Sequence, residues 1–131
     1  MKRPTILLAD DFVAFFDVLR RILEPEFEVI GTVEDGRALI DAAIRLIPDV
    51  IVSDIGMPIV SGFEALRHLI AIQPHIRFIF LTIYNDPAFI EHAEGAGASG
   101  YVDKSRADSE LLPAIRKALS EGEFYLSKFG T

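Results

Sequence analysis

Apolar residues along the chain fall into two alternating kinds of stretch. Short runs rich in apolar residues, at 5–9 (TILLA), 27–33, 50–52 (VIV), 76–81 and 98–102, have the length of strands, and the β-branched 50–52 looks like one buried on both faces. Between them the apolar positions recur at helical spacing. Over 12–23, Phe12, Phe15, Phe16, Leu19, Ile22 and Leu23 predict a helix that ends at Pro25. Asp35-Gly36 predicts a turn, and Ala38, Leu39, Ala42, Ala43 and Leu46 a second helix stopping before Pro48. Ser61 is placed to cap a third helix over 62–72 that leaves at Pro74, and Asp86-Pro87 opens a fourth through 96. A fifth covers 108–120, with Pro113 expected in its first turns or at a kink. Residues 122–131 (GEFYLSKFGT) read as the start of a linker, leaving 1–121 as one domain. Strand and helix alternate five times, the pattern of an α/β fold with a parallel sheet covered by helices on both faces.

The central feature is the end of the third run, VIVSDIGMP. Its apolar residues stop at Asp54, and Gly56 and Pro58 break regular structure just beyond, so Asp54 is expected at the carboxyl end of a central strand. Ligands of doubly wound sheets bind beyond that edge. The first, fourth and fifth runs close on Asp10 and Asp11, Thr82, and Asp103-Lys104, so four strand ends deliver carboxylates, a hydroxyl and an ammonium to one crevice. Clustered carboxylates repel by about 4 kcal/mol per pair at 4 Å and an effective dielectric of 20. A cation must resolve that repulsion. Mg²⁺ suits hard oxygen donors and leaves room for a phosphate oxygen, Lys104 can assist without it, and Asp54 becomes a carboxylate nucleophile toward phosphorus.

Composition narrows the field. Twenty acidic against thirteen basic residues give a net charge of −7, which opposes direct binding to nucleic acid or to an anionic membrane. With no cysteine there is no disulfide, thiolate metal site or cysteine nucleophile. No apolar run approaches the ~18 residues of a membrane span, and MKRPTILLADD reaches acid too early for a signal peptide, so a cytoplasmic protein is expected. His68, His75 and His92 lack metal-like spacing and are expected on solvated faces. Phe12, Val13 and Phe16 widen the apolar face of the first helix beyond one core contact and suggest an edge for self-association.

Four motifs, LLADD (ending at Asp11), SDIGMPIVSG (starting at Ser53), FLT (ending at Thr82) and GASGYVDK (ending at Lys104), together resemble the receiver domain of two-component response regulators over essentially the whole chain. LTIYND and ELLPAIRKALSEGEFYLS are most similar to the NarL/FixJ class. The resemblance implies a flavodoxin-like (CheY-like) five-stranded sheet of order 2-1-3-4-5 with five helices. It implies Asp54 as phosphoacceptor and Mg²⁺ held by Asp11, Asp54 and the Gly56 carbonyl, with Asp10 acting largely through a metal-bound water. It further implies Thr82 and Tyr101 as switch residues, Lys104 as phosphate-binding lysine, and Gly56 with Tyr84 flanking the path of a hydrolytic water. The implied partners are a sensor histidine kinase and a C-terminal DNA-binding helix-turn-helix; the wide apolar face of the first helix adds docking of a partner or of a second copy in a homodimer. Such a chain is no enzyme in the ordinary sense; it catalyses only its own phosphorylation and dephosphorylation. Rival readings fit less well. A haloacid-dehalogenase-type phosphatase needs an acid two residues past its nucleophile, where this chain has Gly56, and a flavodoxin-like cofactor module needs hydroxyls in a first loop that is here acidic. A stand-alone or degenerate receiver serving as an interaction scaffold is the remaining alternative.

Overall fold

The computed structural model describes residues 2–120 and 122–129. Its strands are β1 (Thr5–Ala9), β2 (Glu28–Val33), β3 (Val50–Ser53), β4 (Arg77–Thr82), β5 (Gly100–Asp103) and β6 (Tyr125–Leu126). They form one sheet of order β2-β1-β3-β4-β5-β6, parallel throughout. Five α-helices connect them: α1 (Phe15–Leu23), α2 (Gly36–Leu46), α3 (Gly62–Ile72), α4 (Pro87–Gly95) and α5 (Ala107–Ser120), the last entered through a 3₁₀ turn at Lys104–Arg106.

Because side chains alternate along a strand, each central strand feeds two cores. Ile6, Leu8, Val50, Val52, Ile79, Leu81 and Val102 pack under α1 and α5, through Phe16, Leu19, Leu23, Leu111 and Ile115. Leu7, Ile51, Phe78, Phe80 and Tyr101 face the other way, against Leu39, Leu66, Leu69 and Ala93 of α2, α3 and α4. Burial on both faces explains why these strands read as unbroken apolar runs. Helix starts follow the capping chemistry of the sequence. The Asp35 carboxylate accepts from Ala38 N–H at 2.8 Å, Ser61 and Glu64 form a reciprocal capping box, and Asp86 accepts from Ala88 N–H with Pro87 following.

The structure departs from the sequence expectations in several places. Helix α1 starts at Phe15 rather than Phe12: the chain enters it through a tighter turn in which Phe15 N–H bonds to the Phe12 carbonyl and Phe16 N–H to the Val13 carbonyl, while the Asp10 side chain takes the Phe12 N–H at 2.9 Å. Phe16 lies in the core at 6% exposure, so it is no part of a free edge; Phe12 and Val13 are exposed. The sheet has a sixth strand beyond the expected five, and it comes from the segment read as linker: Tyr125 and Leu126 pair with Gly100 and Tyr101. Residues 130 and 131 of that expected linker lie outside the described part. Pro113 sits in the second turn of α5, on its exposed side. The three histidines are exposed, as expected.

Candidate functional site

The site lies at the carboxyl ends of β1, β3 and β5. In this parallel sheet β1 lies beside β3, with Ala9 opposite Ser53, so Asp10 and Asp54 leave neighbouring strands side by side. Backbone bonds fix both residues: Asp54 N–H donates to the Ala9 carbonyl and Asp10 N–H to the Val33 carbonyl, each at 3.0 Å. Oxygen atoms of Asp10, Asp11 and Asp54 come within 4.8 Å of one another, with Asp10 buried, Asp54 9% exposed and Asp11 open to solvent. Lys104, arriving from β5, lays its Nζ between them, 2.6 Å from Asp10 Oδ2 and 3.2 Å from Asp54 Oδ2. The second oxygen of each carboxylate is held by backbone: Asp10 Oδ1 by Phe12 N–H at 2.9 Å and Asp54 Oδ1 by Ile55 N–H at 2.7 Å.

Burial pushes the Asp10 carboxyl above its ordinary value, although the hydrogen bond from Lys104 pulls the other way. Burial also opposes the charge of Lys104, but its hydrogen bond to Asp10 and the charge of Asp54 outweigh this and hold the ammonium above its ordinary value. The site therefore keeps a firm cation against clustered acids. These three carboxylates are hard donors spaced to share one small divalent ion, and one of them faces solvent to admit it, so the residues fit Mg²⁺.

Thr82 ends β4 fully buried, and its Oγ1 accepts the Tyr84 N–H at 3.3 Å. Tyr101, also fully buried, donates its hydroxyl to the Tyr84 carbonyl at 2.8 Å. The backbone of Tyr84 thus ties Thr82 to Tyr101. Burial, with the charges of Asp54 and Asp86, pushes the Tyr101 phenol up to about 12. The Tyr84 ring lies beside Gly56, where a Cβ would stand 3.4 Å from the phenol oxygen. It is braced edge-on by Phe89, with centroids 5.6 Å apart.

Two contributors escaped the sequence reading. Phe15 presents its ring to the Lys104 ammonium at 4.9 Å, a cation–π contact from a residue whose helical spacing read as core. Ser53, read as part of a strand end, donates its hydroxyl to the Asp54 carbonyl at 2.7 Å. Gly62 is obligatory beside them, since a Cβ there would collide with that same carbonyl.

Residues 6–116 match the family model for the response regulator receiver domain. The chain belongs to that family. As a receiver domain it is 38% identical to the transcriptional regulatory protein DegU of Brevibacillus brevis over 92% of its own length and 52% of that protein's. It is 32% identical to a LuxR-family two-component response regulator from Aurantimonas sp. SI85-9A1, whose crystal structure matches with a TM-score of 0.88 over 95% of this chain and 89% of that one. The non-phosphorylated receiver domain of the stress response regulator RcsB from Escherichia coli matches at 0.87 with 26% identity, covering 97% of this chain and 100% of that one. The receiver is thus related to transcriptional regulators of the NarL/DegU/LuxR group, and it spans about half the length of the curated relatives it matches. No helix among the described residues is long and apolar enough to cross a membrane.

Proposed function

We propose that this receiver domain is a switch that accepts a phosphoryl group on Asp54 from the phosphohistidine of a sensor histidine kinase and signals through Thr82 and Tyr101. The observation that carries this reading is the Lys104 ammonium set between Asp10 and Asp54 in a cluster of three carboxylates. A buried aspartate so neutralised can meet a dianion. Ile55 N–H fixes the rotation of the Asp54 carboxylate. One of its oxygens forms the new O–P bond as the P–N bond breaks; the electron pair returns to the imidazole, which leaves neutral with the proton on its other nitrogen. Lys104 then shifts from Asp54 to a phosphoryl oxygen, and the Thr82 hydroxyl takes another. Asp10, Asp11, Asp54 and the Gly56 carbonyl are the residues to hold Mg²⁺, which when bound would offset the charge of the carboxylates and of the phosphoryl oxygens. Tyr84, beside Gly56, covers the approach of a hydrolytic water and lengthens the life of the acyl phosphate.

The receiver unit read over 1–121 gains β6 and passes its state to a C-terminal DNA-binding domain, itself binding no DNA at a net charge of −7. It acts in the cytoplasm, where the kinase presents its phosphohistidine, and works as a homodimer when phosphorylated. The reading is tested by intact mass after incubation with Mg²⁺ and a small acyl phosphate. One phosphoryl group is expected on the wild type and none on Asp54→Asn or in EDTA; undiminished transfer in either case would refute it.

A further inference from the structure

The sixth strand is only two residues long and pairs with Gly100 and Tyr101. The ladder is flanked by bonds from Tyr125 N–H to the Ser99 carbonyl at 3.0 Å and from Ser127 N–H to the Tyr101 carbonyl at 2.9 Å. Phe129 packs its ring against Tyr101 with centroids 5.7 Å apart, and the Tyr125 hydroxyl donates to Glu110 at 2.9 Å. Against these contacts, Ser127 is buried with a hydroxyl that finds no partner among the described residues, which penalises docking. Gly122, at φ 73°, supplies a turn between α5 and the strand without crowding. Gly100 keeps the dock open, since a Cβ there would stand 3.3 Å from the Tyr125 carbonyl and 3.4 Å from its Cβ.

We infer that residues 122–129 form a strap whose docking on β5 is coupled to the state of Asp54, so that phosphorylation loosens the strap and uncovers the β5 edge. The inference rests on the reading of Asp54 as phosphoacceptor. The path consists of contacts already described. Thr82 accepts the Tyr84 N–H, Tyr101 donates to the Tyr84 carbonyl, and Phe129 leans on the Tyr101 ring. A phosphoryl group that draws the Thr82 hydroxyl moves the Tyr84 backbone with it. Tyr101 must then follow that carbonyl or release it, and either movement disturbs the surface on which Phe129 rests. A strand of two residues has little stability in reserve to absorb the change.

Residue-resolved amide exchange of the full chain tests this, with and without Mg²⁺ and a small acyl phosphate, and with intact mass confirming the phosphoryl group in the same samples. Phosphorylation is expected to speed exchange at the Tyr125 and Ser127 amides by roughly fivefold or more, the lower end of ordinary coupling between sites. Core amides such as Val52 should be unaffected. Gly100→Ala should speed the same two amides without phosphate, and Ser127→Ala, which removes the unsatisfied hydroxyl, should slow them. A phosphorylated protein with unchanged exchange at both amides overturns the coupling alone. A chain that takes no phosphoryl group overturns the coupling together with the reading of Asp54.

Discussion

Ile47 and Ile59 carry left-handed backbone, at φ 49° and 70°, where a β-branched side chain is under strain worth about 1–2 kcal/mol. Both side chains are exposed, so packing returns little of it. Ile47 caps the end of α2, the position that favours glycine, and Ile47→Gly should raise stability by about 1 kcal/mol in denaturant melts. Tyr84→Ala should shorten the lifetime of the aspartyl phosphate at fixed Mg²⁺; an equal or slower loss of phosphate would remove the shielding role. Burial pushes the Tyr101 phenol up to about 12 from an ordinary 10.0. Above about pH 10 the unfolded chain loses this proton while the native state keeps it, so stability falls as pH rises from there toward the folded value. Tyr101→Phe should flatten that alkaline fall in melts taken across the range, leaving the share of Tyr125, which burial and Glu110 also push up to about 12. At this scale the sequence was readable where a polar residue ends an apolar run, as at Asp10, Asp54, Thr82 and Lys104. It was silent on Phe15, because helical spacing marks a ring as buried without saying whether it meets a leucine or an ammonium.

Helix α1 shows how a tight entry turn shortens an element that periodicity alone would extend. Residues 12–14 form that turn, Phe12 is left exposed and Phe16 lies in the core. Phe16→Ala should therefore cost about 3–5 kcal/mol of stability, and Phe12→Ala about 0.5 or less, a contrast measurable by thermal or denaturant unfolding. Strands β1, β3 and β4 were legible because burial on both faces leaves long apolar runs. Strand β6 was not, since two residues are too few to display a period and their pairing needs the room that Gly100 leaves on β5. In α5, Pro113 removes the N–H that would meet the Ser109 carbonyl, yet lies where that carbonyl can turn to water, which is why the helix runs through it.

Across the whole molecule, the acids of the site are balanced by one lysine, and the net charge of −7 adds to their repulsion. A divalent ion that binds only the folded chain must stabilise it, so millimolar Mg²⁺ should raise the melting temperature of the wild type, EDTA should reverse the gain, and Asp11→Ala should diminish it. Lys104→Ala leaves Asp10 and Asp54 without their cation and should destabilise the metal-free chain by several kcal/mol, with much of the loss restored by Mg²⁺. The two halves of the Asp54–Lys104 pair lie fifty positions apart, each just past the end of its strand, β3 and β5, with β4 between these in the sheet. A ribosome making this chain assembles the acids of β1 and β3 well before the lysine emerges. During that interval the nascent protein carries Asp54 without the ammonium that neutralises it. The neutralised site is therefore complete only once the residue that follows the fifth strand is in place, so its ion pairs close late in the synthesis of the chain.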